Sequence, residues 1–554
     1  MTSLPPLPLG SVAARARAFS LEFTSWPSVT GTPDEARFAT RLTELVRALP
    51  CFAGRPEDVL LAPIPNDPLG RANVIALARG RGSRTVLLAG HFDTVSVEDY
   101  GDLKDFAGQA EALRAGLVAR LSASGENPLA LSDLEGGDFL PGRGLLDMKS
   151  GVAAGLAVLE AFASDPNREG NLVLVATPDE EDRSAGMRAA ADLLPELLAR
   201  NGLDVALGIN LDAICDNGNG TAGRVVTFGC IGKLLLSALI IGKEAHAAYP
   251  LSGVNAAYLA AELTAELEFA PELGEDGAGA LASPPTVLGS RDLKGAYDVT
   301  IPGAVWSFWN VLVHERRAAQ VMETAITLAR QAADRAGERM AERVARLRLP
   351  VDMTPDWRSI PVLTYAQVAQ AARERDAGFG GRFAALAETL RTSADLDLPT
   401  RSRRLFEEVW SGSGLSGPAI VLGFGSMPYP AIHWPDAPDL EAAIRGAMAA
   451  TAKRFGVSIG ATPFFPAIAD MSFLGPVDAA DLAEAARQTP IWGSSIQWDL
   501  TGAPTPGFPL VNIGPWGRDY HHWLERVHAP YAFEVLPSLI QETVRRVLGA
   551  GAKA

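Results

Sequence analysis

Three stretches of the chain are apolar almost without interruption and end on acidic or imidazole side chains: TVLLAGHFD (85–93), NLVLVATPD (171–179) and ALGINLDA (206–213). Runs of this length, rich in branched residues, predict strands buried on both faces with their polar chemistry gathered at one end. Ala- and Leu-rich stretches with helical spacing lie between them, so the pattern alternates strand and helix. MKSGVAAGLAVLEAF (148–162) puts Val152, Gly155, Leu156 and Leu159 on one face, which predicts a helix lying close against a sheet.

From Leu234 the pattern changes. A strand-like run to Ile241, a helix near 255–268, a Gly- and Pro-rich interval and a strand pattern ending in AVWSFWNVLVHE (304–315) read as a separate α+β insert. A long helical pattern with balanced charge follows at about 316–347, then a strand-like IPVLTY (360–365). PAIVLGFGSM (418–427) and PLVNIGPWG (509–517) resemble buried strands ending in glycine turns and are expected to complete the first sheet. The expected division is a catalytic domain in two parts, 1–230 and 366–554, with an insert at 231–365.

Composition fits this picture and removes some function classes. The 554 residues are 47% hydrophobic and 21% charged, which is globular composition with room for several compact units. A formal charge of −16 repels nucleic-acid backbones and anionic membranes, so neither is an expected partner. Cys51, Cys215 and Cys230 are too few for a disulfide framework and fit no zinc-finger spacing, which predicts a reducing compartment. The opening MTSLPPLPLG lacks a basic start and a continuous apolar core, so export is not expected and the cytoplasm is. The most apolar stretch, 234–242, is about half of the roughly 20 residues that span a bilayer.

The residue types at the strand ends are metal-ligand types. His91 and Asp93 end the first run, Asp179, Glu180 and Glu181 the second and Asp212 the third, while His521 follows the last after a short loop. Asp147 lies immediately before the sheet-packing helix, where a carboxylate is favoured and could bridge cations. Taken singly, His91 reads as a satisfied strand-end histidine and the Glu180–Glu181 pair as an exposed helix start. Together they read otherwise: buried carboxylates are costly unless a cation compensates them, and the inventory fits two metals.

GHFDTV, GRGLLDMKSG, PDEEDRSAG, NLD, GKEAHAAYPLSGVNA and DYHHWLERV occur in the order found in the di-zinc aminoacylase and carboxypeptidase family, which the chain resembles over residues 91–527. The length, the tail and YDVTIPGAVW look most like its arginine-utilisation branch. The resemblance implies a three-layer α/β catalytic domain with a mixed, mostly parallel sheet and a ferredoxin-like α+β lid that also serves dimerisation. It implies one zinc held by His91 and Asp212, a second by Glu181 and His521, and Asp147 bridging both. Cobalt or manganese would suit the same ligands. Asp93 would orient the His91 ring, Glu180 would be the general base toward an activated water, and His246 in the lid would donate to the oxyanion, in many relatives across a homodimer. Asp298 and Asn255 would contact the small-molecule substrate, an N-acyl amino acid or short peptide.

His521 is the expected ligand among its neighbours because Glu525 and Arg526 follow it as in the family; His522, His528, His314 and His433 take ordinary structural readings. Two departures stand out. Residues 108–122 have the content of an inserted helix, and Asp298-Val-Thr-Ile-Pro302 stands where the family has a neutral amide, without its usual carboxylate-binding Arg. With Asp298 there and no such Arg, the pocket would favour a cationic or amide-capped acyl amino acid, unless Arg316 or Arg317 replaces the missing clamp. Hydrolysis of an ester or lactam, and a catalytically silent binding protein, are the competing functions.

Overall fold

A computed structural model describes residues 11–277, 280–347, 357, 360–393, 395–496 and 506–549. They form two compact units, the first drawn from Met1–Cys230, Ile432–Pro476 and Pro504–Ala554, the second from Ile231–Ala431 and Val477–Ala503.

The three apolar runs are strands Arg81–His91, Glu169–Thr177 and Asp204–Asn210, and with Leu510–Asn512 they make the parallel centre of a sheet that is nine-stranded among the described residues. Ala72–Arg79 and Val59–Pro63 add antiparallel on one side, Val225–Cys230 on the other. Val86, Leu88, Leu172 and Leu174 join the core that includes helices Val12–Ser25, Ser150–Ser164 and Leu536–Gly549, while the alternate residues Leu87, Val173 and Val175 are equally buried. Helix Ala185–Arg200 lies against Ala72–Arg79 and Glu169–Thr177. Apolar side chains on both faces of each central strand are what produced the unbroken sequence runs.

The small residues of Ser150–Ser164 do what their pattern predicts. A Cβ on Gly151 would stand 2.1 Å from the Leu211 carbonyl oxygen, so only glycine lets this helix approach the strand end that carries Asp212. The extra helix expected near 108–122 is Ala110–Ser124, preceding Pro128–Gly136.

The second unit has a five-stranded sheet among its described residues, in the order Thr286–Asp292, Ala304–Val313, Gly232–Ile241, Ala419–Phe424, Val362–Thr364. Helices Ala256–Leu267 and Ala318–Leu347 cover one face; Tyr365–Arg375 and Leu398–Ser413 contribute to the cluster on the other. The α+β insert is therefore present, but larger than expected. Its end falls at Ala431, not 365, and it takes up 477–503 as well. Ala419–Phe424, expected in the first sheet, pairs antiparallel with Gly232–Ile241 and parallel with Val362–Thr364. A buried apolar run fits the centre of either sheet, and nothing in its pattern names its neighbours. PLVNIGPWG divides: Leu510–Asn512 completes the central sheet, whereas Trp516–Arg518 pairs with Ile214–Cys215 and Arg526–His528 in a small sheet of its own. No helix among the described residues is long and apolar enough to cross a membrane.

Candidate metal centre

The central strands run parallel and release their chains at one edge, where open α/β sheets gather ligands. His91 is the last residue of its strand; its backbone N–H donates to Met148 Sδ at 3.4 Å. Gly90 has no room for a Cβ beside Met148, so the strand end and the turn Leu145–Lys149 close on each other. That turn carries Asp147 and has a cis peptide between Asp147 and Met148. Asp147 Oδ1 stands 3.3 Å from His91 Nε2 and its Oδ2 3.3 Å from His521 Nε2.

Around this axis lie the other carboxylates. Glu181 Oε2 is 3.0 Å from His521 Nε2, Glu180 Oε2 is 3.8 Å from His91 Nε2, and Asp212 Oδ1 is 4.0 Å from the same nitrogen. Ligand atoms of His91, Asp147 and Glu181 can all lie within 4.8 Å of one another. Asp93 is fully buried, with Oδ1 3.5 Å and its backbone oxygen 3.2 Å from His91 Nδ1. It also accepts from the Glu180 and Glu181 N–H groups at 3.1 and 3.2 Å and from Thr30 Oγ1 at 2.8 Å. One carboxylate thus orients the imidazole and fixes the following acidic pair.

The carboxylates gathered here are buried and repel one another. Burial pushes Glu180 and Asp212 well above the usual carboxylate range, reinforced by Glu181 and Asp470 around Glu180 and by Asp147 beside Asp212. Burial acts the same way on Asp147, but hydrogen bonds to His521 and His91 outweigh it and hold that group low. Burial disfavours the charged imidazole of His521, yet Asp147 and Glu181 push it up to about 11; His91 is raised by Asp147 and Asp93 in the same way. Imidazoles ringed by carboxylates in this way lie in a field of negative charge that attracts cations. Nitrogen and oxygen donors in this number fit a pair of them.

His521 is set by residues the motif contains for that purpose. Its φ is +61°, and Arg526 pins the loop through Asp519 at 2.6 Å and Asp133 at 2.8 Å. His522 Nδ1 accepts from the Leu524 N–H at 3.2 Å, and His528 is stacked on Trp516 with centroids 4.7 Å apart, so both have structural work. His314 is buried and His433 exposed.

Three expected substrate-side residues belong to the second unit. His246 is exposed, with Nδ1 accepting from the Ala248 N–H at 3.0 Å, which leaves the proton on Nε2. Asn255 Oδ1 caps helix Ala256–Leu267, accepting from the Ala257 and Tyr258 N–H groups at 2.9 and 3.4 Å. Asp298 is held by Lys294 Nζ and by the Thr300 hydroxyl and N–H, which keep its pKa down at about 2. Nothing in the spacing showed that Lys294, four residues earlier, would fold back onto it. Arg316 and Arg317, the alternative clamps, lie 3.9 Å from Glu275 and 3.2 Å from Asp478.

Sequence reasoning missed Asp470, buried at 2% exposure with Oδ2 accepting from Thr177 Oγ1 at 2.9 Å, and Lys149, whose buried Nζ donates to the Trp26 carbonyl at 2.8 Å. Neither has a local pattern that marks it. Each acquires its place through partners far away in the chain.

A model of peptidase family M20/M25/M40 matches residues 87–483. Protein RocB of Bacillus subtilis strain 168 is 31% identical over 548 residues, covering 97% of this chain and 95% of its own. YqjN of the same organism is 29% identical over 532 residues, 96% of either chain. The solved structure of the di-peptidase Dug1p from Saccharomyces cerevisiae shares the fold, with a TM-score of 0.52 at 12% identity over 98% of this chain and 99% of that one.

Proposed function

The chain belongs to peptidase family M20/M25/M40 and is a metal-dependent amide hydrolase of the peptidase and aminoacylase type, and from that premise we propose that it cleaves an N-acyl amino acid or short peptide at a two-cation centre with Glu180 as general base. The observation that carries this reading is the split of Asp147, one oxygen toward His91 and the other toward His521 at 3.3 Å each. His91 and Asp212 would hold one zinc ion, Glu181 and His521 the other, and Asp147 both; cobalt or manganese suits the same donors. When bound, such ions polarise a carbonyl and acidify a water.

Glu181 is engaged with His521, whereas Glu180 stands 3.8 Å from His91 Nε2, beyond hydrogen-bond distance. Glu180 would take the proton from the attacking water and deliver it to the leaving nitrogen. His246, with its proton on Nε2, would donate to the oxyanion. Asp93 keeps the His91 ring and both glutamates in register for these steps. Likeness to RocB over nearly the whole chain agrees with the arginine-utilisation branch, and a cytoplasmic homodimer acting on small molecules, without nucleic acid or membrane, completes the reading.

The test is metal content together with turnover of acyl amino acids, dipeptides and esters, before and after chelation. Glu180→Ala is expected to retain zinc and lose roughly 10²–10⁴-fold in kcat. An Ala variant that turns over like the parent removes Glu180 from the base role, and ester turnover without amide turnover replaces the substrate class.

A further inference from the structure

Arg71 immediately precedes strand Ala72–Arg79 and lies outside every motif named above. It is 8% exposed, and its guanidinium reaches three carboxylates. Asp67 accepts from Nε at 3.0 Å and Nη2 at 2.8 Å with one oxygen, and from the Arg71 and Leu69 N–H groups at 2.8 and 3.1 Å with the other. Nη1 meets Asp179 Oδ1 and lies 3.3 Å from Glu35 Oε2. Asp67 therefore fixes the fork from behind, and Nη1 faces forward.

What it faces is the residue before the acidic pair. Asp179 is 1% exposed and sits at φ +70°, a conformation uncommon for a side chain that is not glycine. Its polar groups are all taken: the N–H donates to Glu35 Oε1 at 3.1 Å, Oδ2 accepts from the Ala185 N–H at 3.1 Å, and the carbonyl accepts from Arg183 and Ser184. Glu35, itself fully buried, accepts from the Gly31 N–H at 2.6 Å, which links this cluster to the segment whose Thr30 holds Asp93. The left-handed turn at Asp179 sends the next two N–H groups to Asp93 and the two side chains to the metal centre.

We propose that Arg71 is a positioning residue for the reaction: by holding Asp179 in its left-handed turn against Glu35, it sets where Glu180 and Glu181 stand relative to Asp147 and the two histidines. The proposal rests on the roles given to Glu180 and Glu181. A residue that merely stabilised the fold would not show the pattern that follows.

The experiment compares Arg71→Met with the full-length parent by zinc titration calorimetry, steady-state kinetics on an acyl amino acid and thermal melting. The expected result is zinc affinity about 10–100-fold weaker and a lowered kcat with KM within about twofold, in a protein that still melts cooperatively. Guanidinium chloride at non-denaturing concentration should restore part of both losses by refilling the site. Unchanged zinc affinity and kcat overturn the proposal, as does a loss that guanidinium does not recover and that tracks a lowered melting temperature. Should Arg71→Met not fold, Asp67→Asn releases the back of the fork while leaving the guanidinium, and a severalfold weaker zinc affinity is expected; parental affinity overturns the proposal. If the parent itself hydrolyses no amide, the functional reading fails, while the zinc titration still reports on Arg71 through Glu181.

Discussion

Glu525 accepts from the Gly144 N–H at 2.9 Å with one oxygen and meets Arg143 Nη1 at 2.7 Å with the other, so a single carboxylate joins the loop of His521 to the turn of Asp147. Those two residues must stay a few ångströms apart although the chain separates them widely. Arg143 is nearly fully buried and is held on its other side by Asp99 at 2.7 Å. The Glu and Arg that follow His521 in the motif are thus explained by geometry: Glu525 ties the loop to the turn, and Arg526 anchors its stem.

Removing that carboxylate has two separable effects. Glu525→Ala leaves a buried guanidinium short of one partner, which costs about 3–5 kcal/mol, and frees the His521 loop, for which zinc affinity should fall about 10–100-fold. Glu525→Gln retains an acceptor for Gly144 and should lose stability while keeping more of the metal affinity. Denaturant unfolding and zinc titration read the two effects independently. Equal affinities in the Ala variant and the parent would show that the loop holds its place without Glu525.

Much of this centre was legible because His91, Asp147, Glu180, Glu181 and Asp212 lie at or just beyond the end of a strongly apolar run or beside a helix start. The strands Arg81–His91, Glu169–Thr177 and Asp204–Asn210 are marked by continuous hydrophobicity, and their polar ends announce the pocket. What the sequence leaves open is partnership. Ala419–Phe424 is as apolar as the central strands, yet it pairs with Gly232–Ile241, and that choice moves the unit boundary from 365 to 431. Asp298 and its Lys294 partner are brought together only by the folded turn. Arg71, Glu35 and Asp470 bear no motif at all, since their meaning comes from Asp179 and Thr177 across the fold.

Gly151 offers a reversal of an ordinary rule. Glycine within a helix usually costs about 1 kcal/mol relative to alanine, so Gly151→Ala would be expected to stabilise. Here the added methyl would fall 2.1 Å from the Leu211 carbonyl oxygen, one residue before Asp212. The helix or the strand end must move, and overpacking of this kind costs typically about 1–3 kcal/mol. The substitution should therefore lower the midpoint of urea unfolding and weaken zinc binding, because Asp212 shifts with Leu211. A raised midpoint would mean that the helix has slack against the sheet.

His528 makes the pH dependence of stability calculable in sign. The ring stacks on Trp516, meets Phe139 edge-on at 5.2 Å, and accepts from the Tyr531 N–H at Nδ1, 3.2 Å away. Protonation would remove that acceptor and bring a positive charge into a buried site near Arg224 and Arg518, with Asp138 to favour it. Burial accordingly lowers its pKa from 6.5 to about 4. The unfolded chain takes up this proton near 6.5 and the folded chain resists it until about 4, so this group's contribution to stability is present above 6.5, declines as pH falls through the interval and is gone below 4. By linkage the loss amounts to roughly 3 kcal/mol. His528→Phe keeps the stacking and abolishes the titration. The difference in unfolding free energy between parent and variant, followed by denaturant titration from pH 7 to 4, should shift against the parent as the solution is acidified. A difference that stays flat across that range would mean the imidazole is as readily protonated folded as unfolded, and its burial near Arg224 and Arg518 would then impose no electrostatic cost.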